Sequence, residues 1–375
     1  YGVDIMHPAY FLLASVVLCG IVSLATGSSW STIATIGVAI IGIGNAFHFP
    51  AGLVAGAVIS GAYFGDKMSP LSDTTNLAPA VAGTDVFTHI RYLVYTTGPT
   101  FLLTLLIFGI IGIFYVNNAS EINTGFIKQG IAATFNTNLG LLFVPVLLIF
   151  LIIKKVPPIP VLLAGTVLGI LFACIFQSDL LNQLLATQHF QNKYQLLMQS
   201  VFGGMNLETG LTEVDKLLST GGMEGMLNTV FLILTALTFG GVMDACGFLK
   251  KVTETFLKFI VNQTSLVGST LLTCIFFNIT ACDQYLAIVI PGKMLQKLYQ
   301  EKGLKPEVLS RALEDSATVT SVLVPWNSCG ATQAKVLGVA TLDYLPYCFF
   351  NLISPLMNLL ITAIHFKIRN IQPSR

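Results

Sequence analysis

The chain has 375 residues, of which 19 are Lys or Arg and 18 are Asp or Glu, so only 10% are charged. An ordinary soluble domain carries about 25%, or about 94 charges at this length. With 54% apolar residues, a mean hydropathy of +0.77 and a net charge of +1, the composition excludes a soluble enzyme, a disordered chain and a nucleic-acid binder.

In chain order, the charge-free runs are Ile5–Gly65, Tyr92–Ser120, Gln129–Ile153, Val156–Ser178, Gly225–Met243, Phe259–Cys282, Ser316–Ala334 and Tyr344–Phe366. A helix needs about 20 apolar residues to cross a bilayer. The runs are continuously apolar rather than alternating, which excludes a β-barrel. The expected fold is an all-α polytopic membrane protein. The seven cysteines form no Cys-x-x-Cys pair and read as small buried residues, not as zinc ligands or disulfides. No cofactor is expected, and the five scattered histidines give no metal site.

Lys and Arg mark cytoplasmic loops. Placing Lys154/Lys155, Lys250/Lys251/Lys258, Lys293/Lys297/Lys302/Lys305 and Lys367/Arg369/Arg375 inside threads the chain once. Residues 8–46 make an out-and-back hairpin from the outer side, with a polar tip at Ala25-Thr26-Gly27-Ser28-Ser29-Trp30. Segment 50–80 goes in, 91–116 out, 139–153 in, 158–176 out and 224–247 in. A second hairpin, 264–300, has its polar tip at Asn278–Gln284. Segment 306–335 goes out and 343–366 returns, leaving the C-terminus cytoplasmic. Loops 117–138 and 177–222 lie outside.

An offset of 255 residues overlays Ser23 on Asn278, Ser28 on Asp283, Pro70 on Pro325 and Gly83 on Gly338. Literal identity is low, but the order of features is shared: hairpin, short loop, interrupted helix, long span. Loop Asn45–Phe49 has no Lys or Arg, while its counterpart Gln300–Leu304 lies in a lysine-rich stretch, so equivalent loops are expected on opposite sides. Inverted repeats with broken helices are a secondary-transporter architecture. The expected organisation is a first repeat over 1–116, linking spans and the start of the second repeat over 117–247, and a second-repeat core over 248–375. No basic n-region precedes the first apolar run, and the repeat partner of 128–255 would precede residue 1. A further N-terminal segment is therefore expected.

The interrupted helix of the first repeat reads Gly65-Asp66-Lys67-Met68-Ser69-Pro70-Leu71-Ser72-Asp73-Thr74-Thr75-Asn76. Pro70 stops a continuing helix, and unwound backbone at membrane depth must line a cavity or be buried in protein. Its carboxylates, hydroxyls and carbonyls are hard oxygen ligands suited to Na+ rather than to a transition metal. An ordinary polar loop is the plain alternative. The second repeat supplies Glu314-Asp315-Ser316-Ala317-Thr318 and Pro325-Trp326-Asn327-Ser328-Cys329-Gly330. Asp315 either joins this site or pairs with Arg311, one turn earlier. Asp283, an isolated intramembrane acid, is either a functional carboxylate or a helix N-cap. Asp244 reads as interfacial, the Thr26/Ser28/Ser29 tip as ligands or caps, and Lys67 and Lys335 as groups that could meet an anion. No Gly-x-Ser-x-Gly, His-Glu-x-x-His or paired catalytic Asp on adjacent spans points to an enzyme.

Gly61–Ala78, Leu24–Trp30, Leu313-Glu314-Asp315-Ser316 and Pro325–Gly330 resemble, in the same order, the signature stretches of the NhaC-type Na+/H+ antiporter family. The resemblance covers nearly the whole chain. It implies a bacterial cell-membrane antiporter with paired hairpins and broken helices that exchanges Na+ for H+. It leaves open a relative that exchanges malate with protons for lactate with Na+, and it leaves room for a homodimer. Desolvation penalises a charged carboxylate and bound Na+ favours it, so proton and Na+ compete for one site. On this reading Asp73 and Asp283 hold Na+ and couple the ions, with Asp66 and Asp315 next. Ser28, Ser69, Ser72, Thr74, Thr75, Asn76, Thr318, Asn327 and Ser328 add ligands.

Overall fold

The computed structural model describes residues 6–118, 134–154, 156, 158–187, 190–205, 215, 221–258 and 260–370. Most of the expected outer loop 117–138, positions 206–214 and the basic residues Lys155 and Arg375 lie outside the described residues. Helices account for nearly all of the described backbone. Pro8–Thr26, Ser29–Ala46, Val86–Tyr115 and Glu224–Ala245 are each long and apolar enough to cross a membrane, and two bent pairs bring the number to as many as 6. The arms of the second hairpin and the helix Ala51–Met68 fall outside that set because of their polar residues, and Asp73–Ala82, Pro306–Leu313 and Ser328–Leu337 because they are too short.

The chain divides into two compact units. The smaller comprises 42–49 and 119–230. In it, Phe143–Ile153 and Pro158–Phe176 are followed by Ser178–Thr187, bent away from its predecessor by 90°. The expected outer loop 177–222 therefore contains helix. Leu181 and Leu184, one turn apart, bury against Leu196 of Lys193–Phe202. Amphipathic burial orders these two short helices, although their hydropathy is low.

The larger unit comprises 6–41, 50–118 and 231–370 of the described chain and contains the first expected hairpin as far as Ile41, the whole of the second and both broken helices. The first hairpin turns at Gly27, and the second turns through Ala281–Asp283 between Gln263–Thr280 and Gln284–Glu301. Gly27 holds left-handed backbone at φ 69°, and a Cβ there would sit 2.6 Å from the Leu71 backbone. Only glycine fits such a turn at that separation. The first broken helix is Ala51–Met68 and Asp73–Ala82, parted at Ser69–Ser72. The second is Pro306–Leu313, a π-helical turn Glu314–Thr318, a 3-10 turn Ser321–Leu323 and, after an extended break, Ser328–Leu337.

Boundaries and contacts coincide at the 255-residue offset. Ser28 and Asp283 each accept backbone N–H groups at the start of a hairpin's second arm. Ser72 and Asn327 do the same for the second half of each broken helix. Ser23 Oγ donates to the Ala62 carbonyl (2.6 Å) as Asn278 Nδ2 does to that of Ala317 (2.7 Å). Ser29 Oγ donates to Asp66 Oδ2 (2.6 Å) where Ser321 Oγ donates to Gln284 Oε1 (3.2 Å). Gly61 presses against the Val16 carbonyl, and its counterpart Ser316 donates to that of Leu271 at 2.8 Å. The correspondence ends after the broken helices. Val86–Asn118 runs unbroken past Pro99 and begins five residues before the expected span. The expected span 343–366 is two pieces, Thr341–Tyr347 and Phe349–Ala363, bent by 53°.

Candidate ion-binding site

Breaking a helix exposes carbonyls that must find donors when buried. In the first break, Thr75 Oγ1 donates to the carbonyls of Asp66 (3.2 Å) and Lys67 (3.1 Å), and Asn76 Nδ2 to those of Pro70 (2.9 Å) and Ser72 (2.6 Å). In the second, Asn278 reaches Ala317, Asn351 reaches Val319 at 2.8 Å and the Tyr344 hydroxyl reaches Val322 at 2.9 Å. Asn327 Nδ2 donates to the Asn278 carbonyl at 3.0 Å, and Trp326 Nε1 to that of Ile279 at 2.8 Å, fastening the break to the hairpin tip. Thr75, Asn76 and Asn327 thus spend their polar groups on closing the breaks.

The carboxylates occupy distinct environments. Asp66 is buried, bonded by Ser29 from the first hairpin tip and flanked by Ser72. Glu314, on the π-helical turn, is fully buried. One of its oxygens accepts from Thr74 Oγ1 at 3.1 Å, and the other makes no hydrogen bond of normal geometry among the described residues. The Ser72 and Thr74 hydroxyls lie 3.2 Å apart, and Ser72 also flanks Asp66. Asp66 lies within electrostatic reach of Glu314, so a hydroxyl-lined chain of acids joins the two breaks. The Thr318 hydroxyl, on the same turn, is buried beside the Glu314 carboxylate and meets no other hydrogen-bond partner among the described residues.

Asp315 points elsewhere. It pairs with Lys67, and both side chains are fully buried. Ser354 Oγ (3.1 Å) and Asn358 Nδ2 (2.7 Å) also donate to it, and Ser354 Oγ accepts from Lys67 Nζ at 2.9 Å. The sequence alternative of an Arg311–Asp315 pair is not what forms: Arg311 lies over the Tyr92 ring, 4.3 Å from its centroid. Both side chains meet the helix Phe349–Ala363, Arg311 at Thr362 and Asp315 at Ser354 and Asn358, but only Asp315 also meets Lys67.

Asp283 is half-buried. Its Oδ1 caps Tyr285 (2.9 Å) and Leu286 (3.1 Å), and its Oδ2 accepts from Ser328 Oγ at 3.4 Å. Asp73 is exposed at the first turn of Asp73–Ala82. No hydrogen bond or ion pair joins Asp73 or Asp283 to Asp66 among the described residues. Ser28 serves as the hairpin cap, and the Ser69 hydroxyl accepts from the Leu71 N–H at 3.3 Å. Lys335 and Asp244 are exposed.

The sequence motifs contain Glu314 without marking it as a site residue and offer Ser29 only as a tip ligand or cap, and Ser354 and Asn358 lie outside them altogether. A signal existed for the last two: polar residues four apart on an otherwise apolar span share one helix face.

Paired hairpins, paired breaks and buried acids where the breaks meet define a multi-pass α-helical membrane transporter of the secondary type rather than an enzyme. The family model described as "Na+/H+ antiporter family" matches residues 61–365. The chain is 36% identical over 355 residues to the malate-2H+/Na+-lactate antiporter of Bacillus subtilis, covering 94% of this chain and 73% of that protein. It is 36% identical over 360 residues to the Na+/H+ antiporter NhaC of Alkalihalophilus pseudofirmus (96% and 75%) and 36% over 362 residues to the NhaC of Bacillus subtilis (96% and 77%). This chain belongs to the Na+/H+ antiporter family.

Proposed function

We propose that this chain exchanges Na+ for H+ by alternating access and that the acids joined across the two breaks, Asp66 and Glu314, carry the coupling. The observation behind the assignment is the fully buried Glu314 carboxylate, bonded by Thr74 on one oxygen and, among the described residues, without a hydrogen bond of normal geometry on the other. A buried carboxylate is neutralised by a proton or by a cation, and the two exclude each other at one pair of oxygens. Ser29, Ser72, Thr74 and Thr318 supply the neighbouring oxygens. Asp73 and Asp283, with Ser28, Ser69 and Ser328, form the more accessible approach to the site. The repeats are inverted in the membrane, so one bundle rocks against the other with the C-terminus on the cytoplasmic side of a bacterial cell membrane.

Proteoliposomes with an imposed pH gradient test this. Asp66→Asn and Glu314→Gln are expected to abolish Na+-dependent proton flux, and Asp73→Asn and Asp283→Asn to weaken apparent Na+ affinity. Full flux in both Asp66→Asn and Glu314→Gln would refute the assignment. The similarity to the malate/lactate antiporter supports a second reading, exchange of a small organic acid. The N-termini capped by the neutral Ser28, Ser72 and Asn327 could receive its carboxylate. Flux that requires malate or lactate in the same assay would select this reading.

A further inference from the structure

One end of the larger unit gathers three segments that are far apart in the chain. The helix Phe248–Leu257 follows closely on the span Glu224–Ala245, and Gly247, in left-handed backbone at φ 73°, turns the chain between them. Leu249 of this helix is buried in one apolar cluster with Leu304, and Ile260, Leu298 and Ile368 pack against that cluster. The Lys305 N–H donates to the Arg369 carbonyl at 3.0 Å, Leu304 bridges to Asn370, and Gln263 Nε2 donates to Asn370 Oδ1 at 3.3 Å. The stretches around Lys250, Lys305 and Lys367 are thus held together by the fold.

The outer side of this end is basic. Lys250, Lys258, Lys302, Lys305 and Lys367 are exposed and make no ion pair among the described residues. Lys251 and Lys297 lie beside Glu254 (3.6 Å) and Glu301 (3.8 Å), and the buried Glu307 is taken by Arg369. Even with the exposed Asp244 counted, the rim keeps a positive excess.

Bulky apolar side chains stand exposed among these lysines: Phe248 beside Lys250, Val261 shortly after Lys258, and Ile364 and Phe366 beside Lys367. Facing water, each would leave apolar area unburied. At the edge of a bilayer the same arrangement is favourable, because rings and aliphatic groups enter the acyl region while lysine amines reach the headgroups. The rim stands at that level: the span Glu224–Ala245 ends just before Phe248, and Phe349–Ala363 ends just before Ile364.

We infer that this rim is a docking surface for the anionic headgroups of membrane phospholipids, in the leaflet that meets the ends of these two helices. Headgroup phosphates meet the unpaired amines, and acyl chains cover Phe248, Ile364 and Phe366. A soluble anion would meet the amines and leave those apolar side chains in water, so the occupant is lipid rather than free phosphate. None of these residues belongs to the two helix breaks, so the inference stands whatever ion the protein exchanges.

The test uses the purified full chain in neutral detergent micelles, titrated with phosphatidylglycerol or with phosphatidylcholine of identical acyl chains. Bound lipid is counted by native mass spectrometry. A lysine at an anionic lipid surface is worth about a fivefold preference, so phosphatidylglycerol is expected to bind at least about fivefold more tightly. That preference is expected to shrink as ionic strength rises. The variant Lys250→Gln/Lys258→Gln/Lys302→Gln/Lys305→Gln/Lys367→Gln is expected to lose most of it, and Lys193→Gln, an exposed lysine of the smaller unit, to keep it. Glycerol phosphate without acyl chains is expected not to compete at equal concentration. Equal affinity for the two lipids in the unaltered chain would overturn the inference, and so would full preference in the five-lysine variant. Loss of preference in Lys193→Gln would trace it to overall charge, and competition by glycerol phosphate to a soluble anion; either result would overturn the lipid surface as well.

Discussion

The Lys67–Asp315 pair joins the first broken helix to the second with both side chains removed from solvent. Removing one partner of a buried pair leaves the other charge uncompensated and costs about 3–5 kcal/mol. The two deletions are not equivalent. In Lys67→Met, Asp315 keeps the donors of Ser354 and Asn358. In Asp315→Asn, Lys67 keeps the Ser354 oxygen and the Phe350 ring, whose centroid is 5.5 Å away. Asparagine leaves Lys67 an amide oxygen but no compensating charge, whereas the carboxylate left by Lys67→Met keeps two donors, so Asp315→Asn is expected to be the more destabilising. The double variant Lys67→Met/Asp315→Leu removes both charges and is expected to lie within about 1 kcal/mol of the unaltered chain. Equilibrium unfolding in mixed micelles measures all four proteins. The two tryptophans, Trp30 at the first hairpin tip and Trp326 in the second break, report on both sides of the pair. Strictly additive costs, or single-variant costs below about 0.5 kcal/mol, would show that the pair bears little on the fold and refute the reasoning.

Two further predictions use the same unfolding assay or amide exchange. Gly65→Ala places a Cβ 2.3 Å from the Gly20 carbonyl oxygen and 2.5 Å from the Leu24 nitrogen, which are backbone atoms that cannot step aside, so it is expected to separate the first hairpin from the first broken helix. Gly98→Ala meets nothing within 4 Å and is expected to be neutral or to stabilise its helix by up to about 1 kcal/mol, as alanine exceeds glycine in helix propensity. Equal effects of the two substitutions would discount the close-packing account. At the start of Val86–Asn118, the Thr88 hydroxyl and N–H donate to the exposed Asp85 carboxylate and hold it below the usual carboxylate range. Its contribution is therefore present above the ordinary carboxyl value of about 3.9 and lost as pH falls through the lower folded-state value. Amide protection at Thr88 and His89 is expected to fall over that acid window in the unaltered chain and not in Asp85→Asn. The same acid loss in Asp85→Asn would remove Asp85 as its cause.

Much of the architecture was legible because its causes are local. Charge-free runs mark the apolar helices, Pro70 and the Asn278–Gln284 cluster mark interruptions, and the caps Ser28, Ser72, Asp283 and Asn327 are residue types chosen by the backbone N–H groups beside them. The helices within 177–222 escaped notice because their order comes from Leu181, Leu184 and Leu196 packing together rather than from hydropathy. Family membership was readable from the ordered motifs alone.

Which acids share a centre, and which are paired, was not readable. The local spacing offered Arg311 to Asp315, but the partner is Lys67, 248 residues away in sequence. Glu314 and Asp315 are adjacent in the chain, yet one faces Thr74 across the breaks and the other a lysine, a serine and an asparagine from two other helices. Sequence patterns fix where a helix must break and cap, because those groups are satisfied within a few residues. A buried charge is satisfied by whatever the packed helices bring to it, and only the tertiary structure decides that.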